Sequence, residues 1–123
     1  MQTKYGLELG DGSNIEPGLY LGHPYAITVN PKAQIGKNCN LHKGVTVGQE
    51  NRGKRKGAPT IGNNVWIGSN ATVVGRIHIG DNVLIAPNCY VNHDVPSDSI
   101  VIGNPSQVFP NDAATREYIN NQL

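Results

Sequence analysis

Aromatic residues are scarce in this 123-residue chain, with one Trp, one Phe and five Tyr making up 6% of it. A sandwich or helical bundle of this size leans on such side chains for its core, so a broad layered interior is disfavoured. Charge of one sign is missing too. Ten Lys and Arg against nine Asp and Glu leave a net charge of +1, which removes the electrostatic case for nucleic acid or a membrane surface as partner. No apolar run is long enough to span a bilayer. No basic leader followed by an apolar stretch occurs, so a cytoplasmic location is the expectation.

Glycine is what the chain has in excess, 15 residues alongside eight prolines, together with a hydrophobic beat at every sixth position. The beat runs Leu9, Ile15, Leu21, Ile27, resumes at Val29, Ile35, Leu41, Val47, and runs again through Ile61, Ile67, Val73, Ile79, Ile85, Val91. An amphipathic helix repeats at i, i+3, i+4, i+7 and a half-buried strand alternates, whereas a period of six matches short strands joined by turns. Three such sides close a triangular coil. Ile61, Ile67 and Val73 are therefore expected to stack on Ile79, Ile85 and Val91 in an all-β parallel solenoid. A second inward position follows four residues after each beat, at Ala33, Cys39, Val45, Val65, Ala71, Ile77, Val83 and Cys89. Gly36, Gly62 and Gly80, with Asn38, Asn64, Asn70, Asn82 and Asn88, fall near the corners, where tight turns demand left-handed backbone.

Cys39 and Cys89 are both inward and more than two coils apart, too far for a disulfide, and read as small buried hydrophobes. The chain makes one domain over residues 1–109, and a lone solenoid of this size is marginal. After Pro110, Asn111 or Asp112 is placed to cap a short helix from Ala113 to about Leu123 within a tail spanning 110–123. Tyr118 and Ile119 are the residues expected to dock it.

The beat breaks twice, and interruptions carry side chains off a scaffold. Between Leu21 and Val29 the step is eight residues, with the excess in Gly22-His23-Pro24-Tyr25-Ala26. Between Val47 and Ile61 it is fourteen, across a charged, glycine-rich stretch. That stretch, residues 49–59, is expected to project from a corner as a loop, with Arg52, Lys54, Arg55 and Lys56 available to anions. Glu8 precedes the beat residue Leu9 and by coil arithmetic approaches the corner of His23 from the neighbouring coil. A carboxylate there would hold one imidazole tautomer and raise the basicity of the other nitrogen.

On these residues the chain resembles the hexapeptide-repeat acyltransferases over roughly residues 7–109. The resemblance implies a left-handed parallel β-helix and a homotrimer with active sites between subunits. Gly18 to Val29, continuing through Leu41-His-Lys-Gly-Val-Thr-Val-Gly48, is similar to the catalytic coil of serine acetyltransferases. On that likeness His23 stands at the catalytic base and Glu8 at its carboxylate partner. Acetyl-CoA is the implied co-substrate. Val65 to Ser69 looks like the segment whose last residue contacts the pantetheine arm, and Pro87 stands one coil later where an N–H donor is usual. Asn92, His93 and Gln107 fall in the terminal-coil signature that meets the nucleotide end, with His93 and Gln107 at positions often Lys and Arg. The loop cations Lys54 and Lys56 are therefore expected to take part in nucleotide binding.

The resemblance is weaker on the acceptor side. The serine enzymes carry an Asp where Gly22 stands and an Arg-His pair where Gly57 and Ala58 stand. The likeness is to a shortened form without the N-terminal helical domain, which implies a sugar or similar small hydroxyl acceptor, with L-serine as the alternative. His42 and Arg52 are the candidate acceptor contacts. Trp66, Tyr20 and Tyr90 read as surface or subunit-contact aromatics. Two other classes are weighed. Trimeric carbonic anhydrases share the solenoid but use a close histidine pair, and His23, His42, His78 and His93 contain none, so no metal is expected. A non-catalytic scaffold would leave the displaced His23 without a role.

Overall fold

In the computed structural model, residues 8–9 are described as backbone and residues 14–119 in full. The strands in chain order are β1 (Glu8–Leu9), β2 (Asn14–Ile15), β3 (Tyr20–Gly22), β4 (Thr28–Val29), β5 (Gln34–Ile35), β6 (Asn40–His42), β7 (Thr46–Gly48), β8 (Thr60–Ile61), β9 (Val65–Ile67), β10 (Thr72–Val74), β11 (His78–Ile79), β12 (Val83–Ile85), β13 (Tyr90–Val91), β14 (Ser99–Gly103) and β15 (Ser106–Pro110). Through β13 every third strand joins the same sheet. Face A is β1-β4-β7-β10-β13, face B is β2-β5-β8-β11, and face C is β3-β6-β9-β12-β14-β15. All pairings between these strands are parallel except the closing hairpin β14–β15.

The beat residues form the pairing register. Ile61 pairs with Ile79, Ile67 with Ile85 and Val73 with Val91. The breaks do not disturb this alignment: Leu9 still meets Val29 and Val47 still meets Val73, because the surplus residues leave the coil at a corner. Ile27, Val45, Ala71 and Cys89 fill one inward column and Cys39, Val65 and Val83 another, all buried. The core is thus a narrow axial stack, which is why so few aromatic side chains suffice.

The corners carry the strain. Asn38, Asn64, Asn70, Asn82 and Asn88 all adopt positive φ, between 55° and 66°. Asn tolerates that region better than other residues with a Cβ. Corner amides continue the ladder between coils, with Asn64 N–H donating to Lys37 O at 2.8 Å and Asn82 N–H to Asn63 O at 2.9 Å. Here the backbones approach so closely that a Cβ on Gly62 would lie 2.7 Å from the Gly80 carbonyl oxygen.

The tail differs from the expected helix. Residues 112–118 make successive turns, with Ala114 N–H bonded to Asn111 O and Arg116 N–H to Ala113 O. Face C captures groups a helix would use internally. Asn82 Nδ2 donates to Asp112 O at 2.9 Å, its Oδ1 accepts from the Thr115 hydroxyl at 2.6 Å, and Asn40 Nδ2 donates to Tyr118 O at 3.5 Å. Asn111 still caps, its Oδ1 accepting Ala113 N–H at 2.9 Å. Ile119 is buried and the Tyr118 ring meets Trp66 edge-on, so both residues dock the strap. The expected helix end at 120–123 lies outside the described residues. No helix among the described residues is long and apolar enough to cross a membrane.

Both thiols are free and buried. Cys39 donates to Gly62 O at 3.2 Å, and burial pushes its pKa from the ordinary 9.0 up to about 11. A group whose folded pKa is raised contributes stability that is complete below the unfolded value and is lost as pH rises through the folded one. Between pH 9.0 and about 11, wild type is therefore expected to lose roughly 2–3 kcal/mol more stability than Cys39→Ala. Denaturant titrations across that window check this, and parallel losses would show a thiol that ionises as easily folded as unfolded.

Candidate active site

Three edges run the length of the prism, and the candidate residues divide between two of them. The edge from face C to face A carries His23, Lys43, Ser69 and Pro87, one per coil. Their backbones are linked there: Gly44 N–H donates to Tyr25 O at 2.8 Å, Asn70 N–H to Lys43 O at 2.9 Å and Asn88 N–H to Ser69 O at 3.0 Å. With coils ~4.8 Å apart, His23 stands roughly 10 Å above Ser69 along this edge. Pro87 has a packing reason as well, since its ring lies against Gly68, whose added Cβ would sit 2.6 Å from the Pro87 nitrogen.

His23 is exposed and sits on left-handed backbone at φ 50°, with Ala26 also positive at 56°. Such a conformation costs a residue with a Cβ on the order of 1 kcal/mol or more. Two features hold it: a tight turn around Pro24 in which Tyr25 N–H donates to His23 O at 2.7 Å, and the Tyr25 carbonyl bond to Gly44. The two surplus residues thus form a small anchored excursion that presents the imidazole to solvent. The Glu8 backbone pairs with Thr28, just past that excursion. Its side chain, and hence the expected carboxylate contact with His23, lies outside the described residues.

His42 ends β6 directly across from Gly22. Its Nδ1 lies 2.9 Å from the Ile67 carbonyl oxygen, an acceptor only, so Nδ1 carries the proton. The ring packs on Trp66 at 4.5 Å between centroids and covers Gly22. A Cβ at position 22 would sit 2.5 Å from His42 Cδ2 and 2.8 Å from Nε2. Glycine before His23 is therefore a consequence of the histidine at 42. The sequence contains both residues, but their contact spans a coil and no spacing rule exposes it.

The second group gathers on the edge from face A to face B. The 49–59 loop leaves β7 there and returns through a bridge between Glu50 and Gly57. It is tied down along the edge, with Arg76 N–H donating to Arg55 O at 2.7 Å and Arg55 Nη1 reaching Asp94 Oδ1 at 3.3 Å. Arg52, Lys54 and Lys56 are exposed on it, while Asn92 and His93 follow β13 toward the same edge. His93 Nε2 meets the Ser106 hydroxyl at 2.6 Å, so the hairpin tip bearing Gln107 reaches His93 across the end of the solenoid. Within one chain, face A separates this basic group from His23. Sequence reasoning missed Asp94 as the anchor of the loop and Lys43 as a cation on the His23 edge. No group of three or more His, Cys, Asp or Glu side chains among the described residues is arranged to hold a metal ion.

Residues 58–93 match the family described as bacterial transferase hexapeptide (six repeats). The serine acetyltransferase of Synechococcus elongatus is 37% identical over 103 residues, covering 84% of this chain and 42% of that enzyme. The Helicobacter pylori serine acetyltransferase is 34% identical over 107 residues, 87% of this chain and 63% of the relative. Among solved structures, the Neisseria gonorrhoeae serine acetyltransferase in complex with serine superposes with a TM-score of 0.72 at 35% identity, over 80% of this chain and 40% of that one. The soybean apoenzyme gives 0.73 at 31% identity, over 80% and 40%. The chain thus spans about half the length of the curated relatives it matches.

The chain belongs to the hexapeptide-repeat acyltransferases and has their left-handed parallel β-helix. Within that family it is serine-acetyltransferase-like.

Gly22→Ala is expected to lower stability by about 1–3 kcal/mol through overpacking against the His42 ring. His42→Ala should relieve most of that loss in the double variant, giving a coupling energy of order 1 kcal/mol or more in a denaturant double-mutant cycle. Strict additivity would show that the ring is not what excludes a side chain at 22.

Proposed function

We propose that the protein transfers the acetyl group of acetyl-CoA to the hydroxyl of a small polar acceptor, with His23 as general base. The imidazole takes the hydroxyl proton as the oxygen attacks the thioester carbonyl, and a tetrahedral oxyanion forms. Its collapse expels the coenzyme A thiolate, which recovers the proton from His23, leaving an acetyl ester and free thiol. Both cysteines are buried in the core, which favours direct transfer over an acetyl-enzyme. The observation that carries this reading is the exposed His23 held on strained backbone at the edge shared with Ser69 and Pro87.

Glu8 is read as the orienting carboxylate. Ser69 and the Pro87 segment would line the pantetheine path on the same edge. Arg52, Lys54, Lys56, Asn92 and His93 belong to the other edge, and Gln107 to the closing hairpin of face C, so the loop cations serve a site with His23 only if a second subunit brings the two edges together. A homotrimer with sites between subunits does that. Gly22, Gly57 and Ala58 pointed to a sugar acceptor, but the relatives and solved structures reported above are serine acetyltransferases, and one is bound to serine. L-serine is accordingly the leading acceptor.

Thiol release from acetyl-CoA, measured with L-serine and a panel of sugars, tests the reading. His23→Ala is expected to lower kcat about 10²–10⁴-fold, and undiminished turnover would remove His23 from the mechanism. Replacing Lys54, Arg55 and Lys56 together by Gln should raise the KM for acetyl-CoA severalfold at low salt. An unchanged value would take the loop out of nucleotide binding.

A further inference from the structure

Next to the proposed base, the structure holds a second imidazole whose surroundings are more specific than packing requires. Nδ1 of His42 is committed to the Ile67 carbonyl at 2.9 Å. With a proton fixed there, the ring in its neutral form has one remaining polar atom, Nε2, and that atom is a lone-pair acceptor. No hydrogen bond to Nε2 is found among the described residues. The ring is held from one side by Trp66, at 4.5 Å between centroids, and Trp66 is backed in turn by Tyr118 at 5.1 Å. Nε2 lies over Gly22, where a Cβ would come within 2.8 Å of it. Gly22 is the residue before His23, so Nε2 of His42 and the base flank the same peptide unit.

A histidine used only as filler would not need a fixed tautomer, a partly exposed ring or a bare glycine beneath it. We infer that His42 Nε2 is the acceptor-binding group of this site, taking a hydrogen bond from a donor on the molecule whose hydroxyl is acetylated. This rests on the acetyl-transfer reading above and adds the chemistry of the acceptor. Besides the reacting hydroxyl, the acceptor carries an N–H or O–H donor close enough for both groups to engage at once. An amino acid supplies that donor as an ammonium, a sugar as a second hydroxyl. The strap of residues 112–119 contributes by holding the stack, since Tyr118 touches Trp66 and its carbonyl is bonded by Asn40.

The decisive variant is His42→Phe, which keeps a ring against Trp66 and over Gly22 but removes both nitrogens. Acceptor KM is measured in two arms, L-serine for the ammonium donor and methyl β-D-glucopyranoside for hydroxyl donors alone. The sole tryptophan, Trp66, provides a binding signal independent of turnover through its fluorescence. In the arm that wild type uses, His42→Phe is expected to raise acceptor KM roughly tenfold, the cost of one lost hydrogen bond. The KM for acetyl-CoA should stay fixed, and kcat should change less than acceptor KM. His42→Gln, which retains an acceptor, should recover part of the loss. An acceptor KM left unchanged by His42→Phe would overturn the inference by showing that only the ring's bulk matters. If wild type turns over neither acceptor, the acetyl-transfer reading fails on these substrates and fluorescence decides the rest. A saturable change that His42→Phe abolishes supports the binding role, and a flat titration with wild type rules it out.

Discussion

A chain can turn three corners in eighteen residues only if the corner residues accept left-handed backbone and adjacent coils still exchange their amide bonds. Everything else in this molecule depends on that constraint. Asn38, Asn64 and Asn82 meet it on one edge, each with positive φ and with its N–H donated to a carbonyl of the preceding coil. Once the corners repeat, the six-residue beat falls into vertical columns, and apolar side chains two to a side fill the axis. The same constraint explains how surplus residues are tolerated. They leave and rejoin at corners, so the ladder keeps its register while the excursion is free to carry chemistry.

Function is distributed accordingly. One edge holds His23 on a two-residue excursion, and another holds the basic loop, with face A between them. That separation makes the single chain an incomplete site under the proposed reading. It also gives assembly a physical purpose: apposing two edges of neighbouring subunits would bring a base and a cationic cluster together without distorting either coil. The strap across face C belongs to the same economy of structure. Asn82 grips it at Asp112 and Thr115, and Tyr118 completes the stack that begins at His42.

Much of the fold was legible because a solenoid's pattern is local and repeated. Ile61, Ile67 and Val73 pair with Ile79, Ile85 and Val91 as their spacing required, and the five corner asparagines have the predicted backbone. The tail was misread for a physical reason. Capping at Asn111 is a local signal and is present, but whether turns propagate into a helix depends on which groups compete for the backbone, and face C side chains win that competition. The loop's composition marks it as an excursion and its residues 51–56 are exposed, but its tie to Asp94 through Arg55, nearly two coils further on, carries no signal in the sequence.

The acceptor side shows the division most clearly. Gly22 seen in sequence is a missing side chain. In space it is the floor beneath His42, and the imidazole stands where any residue at 22 would have been. Sequence by itself determined the coil, its columns, its corners and the two places where the chain departs from them, because each follows from neighbours six or eighteen residues apart. The tertiary structure alone decided what meets at those departures and past the last coil: His42 over Gly22, Arg55 on Asp94, the tail on face C. Those contacts join residues that an insertion displaces or that follow the repeats, and no fixed period links them.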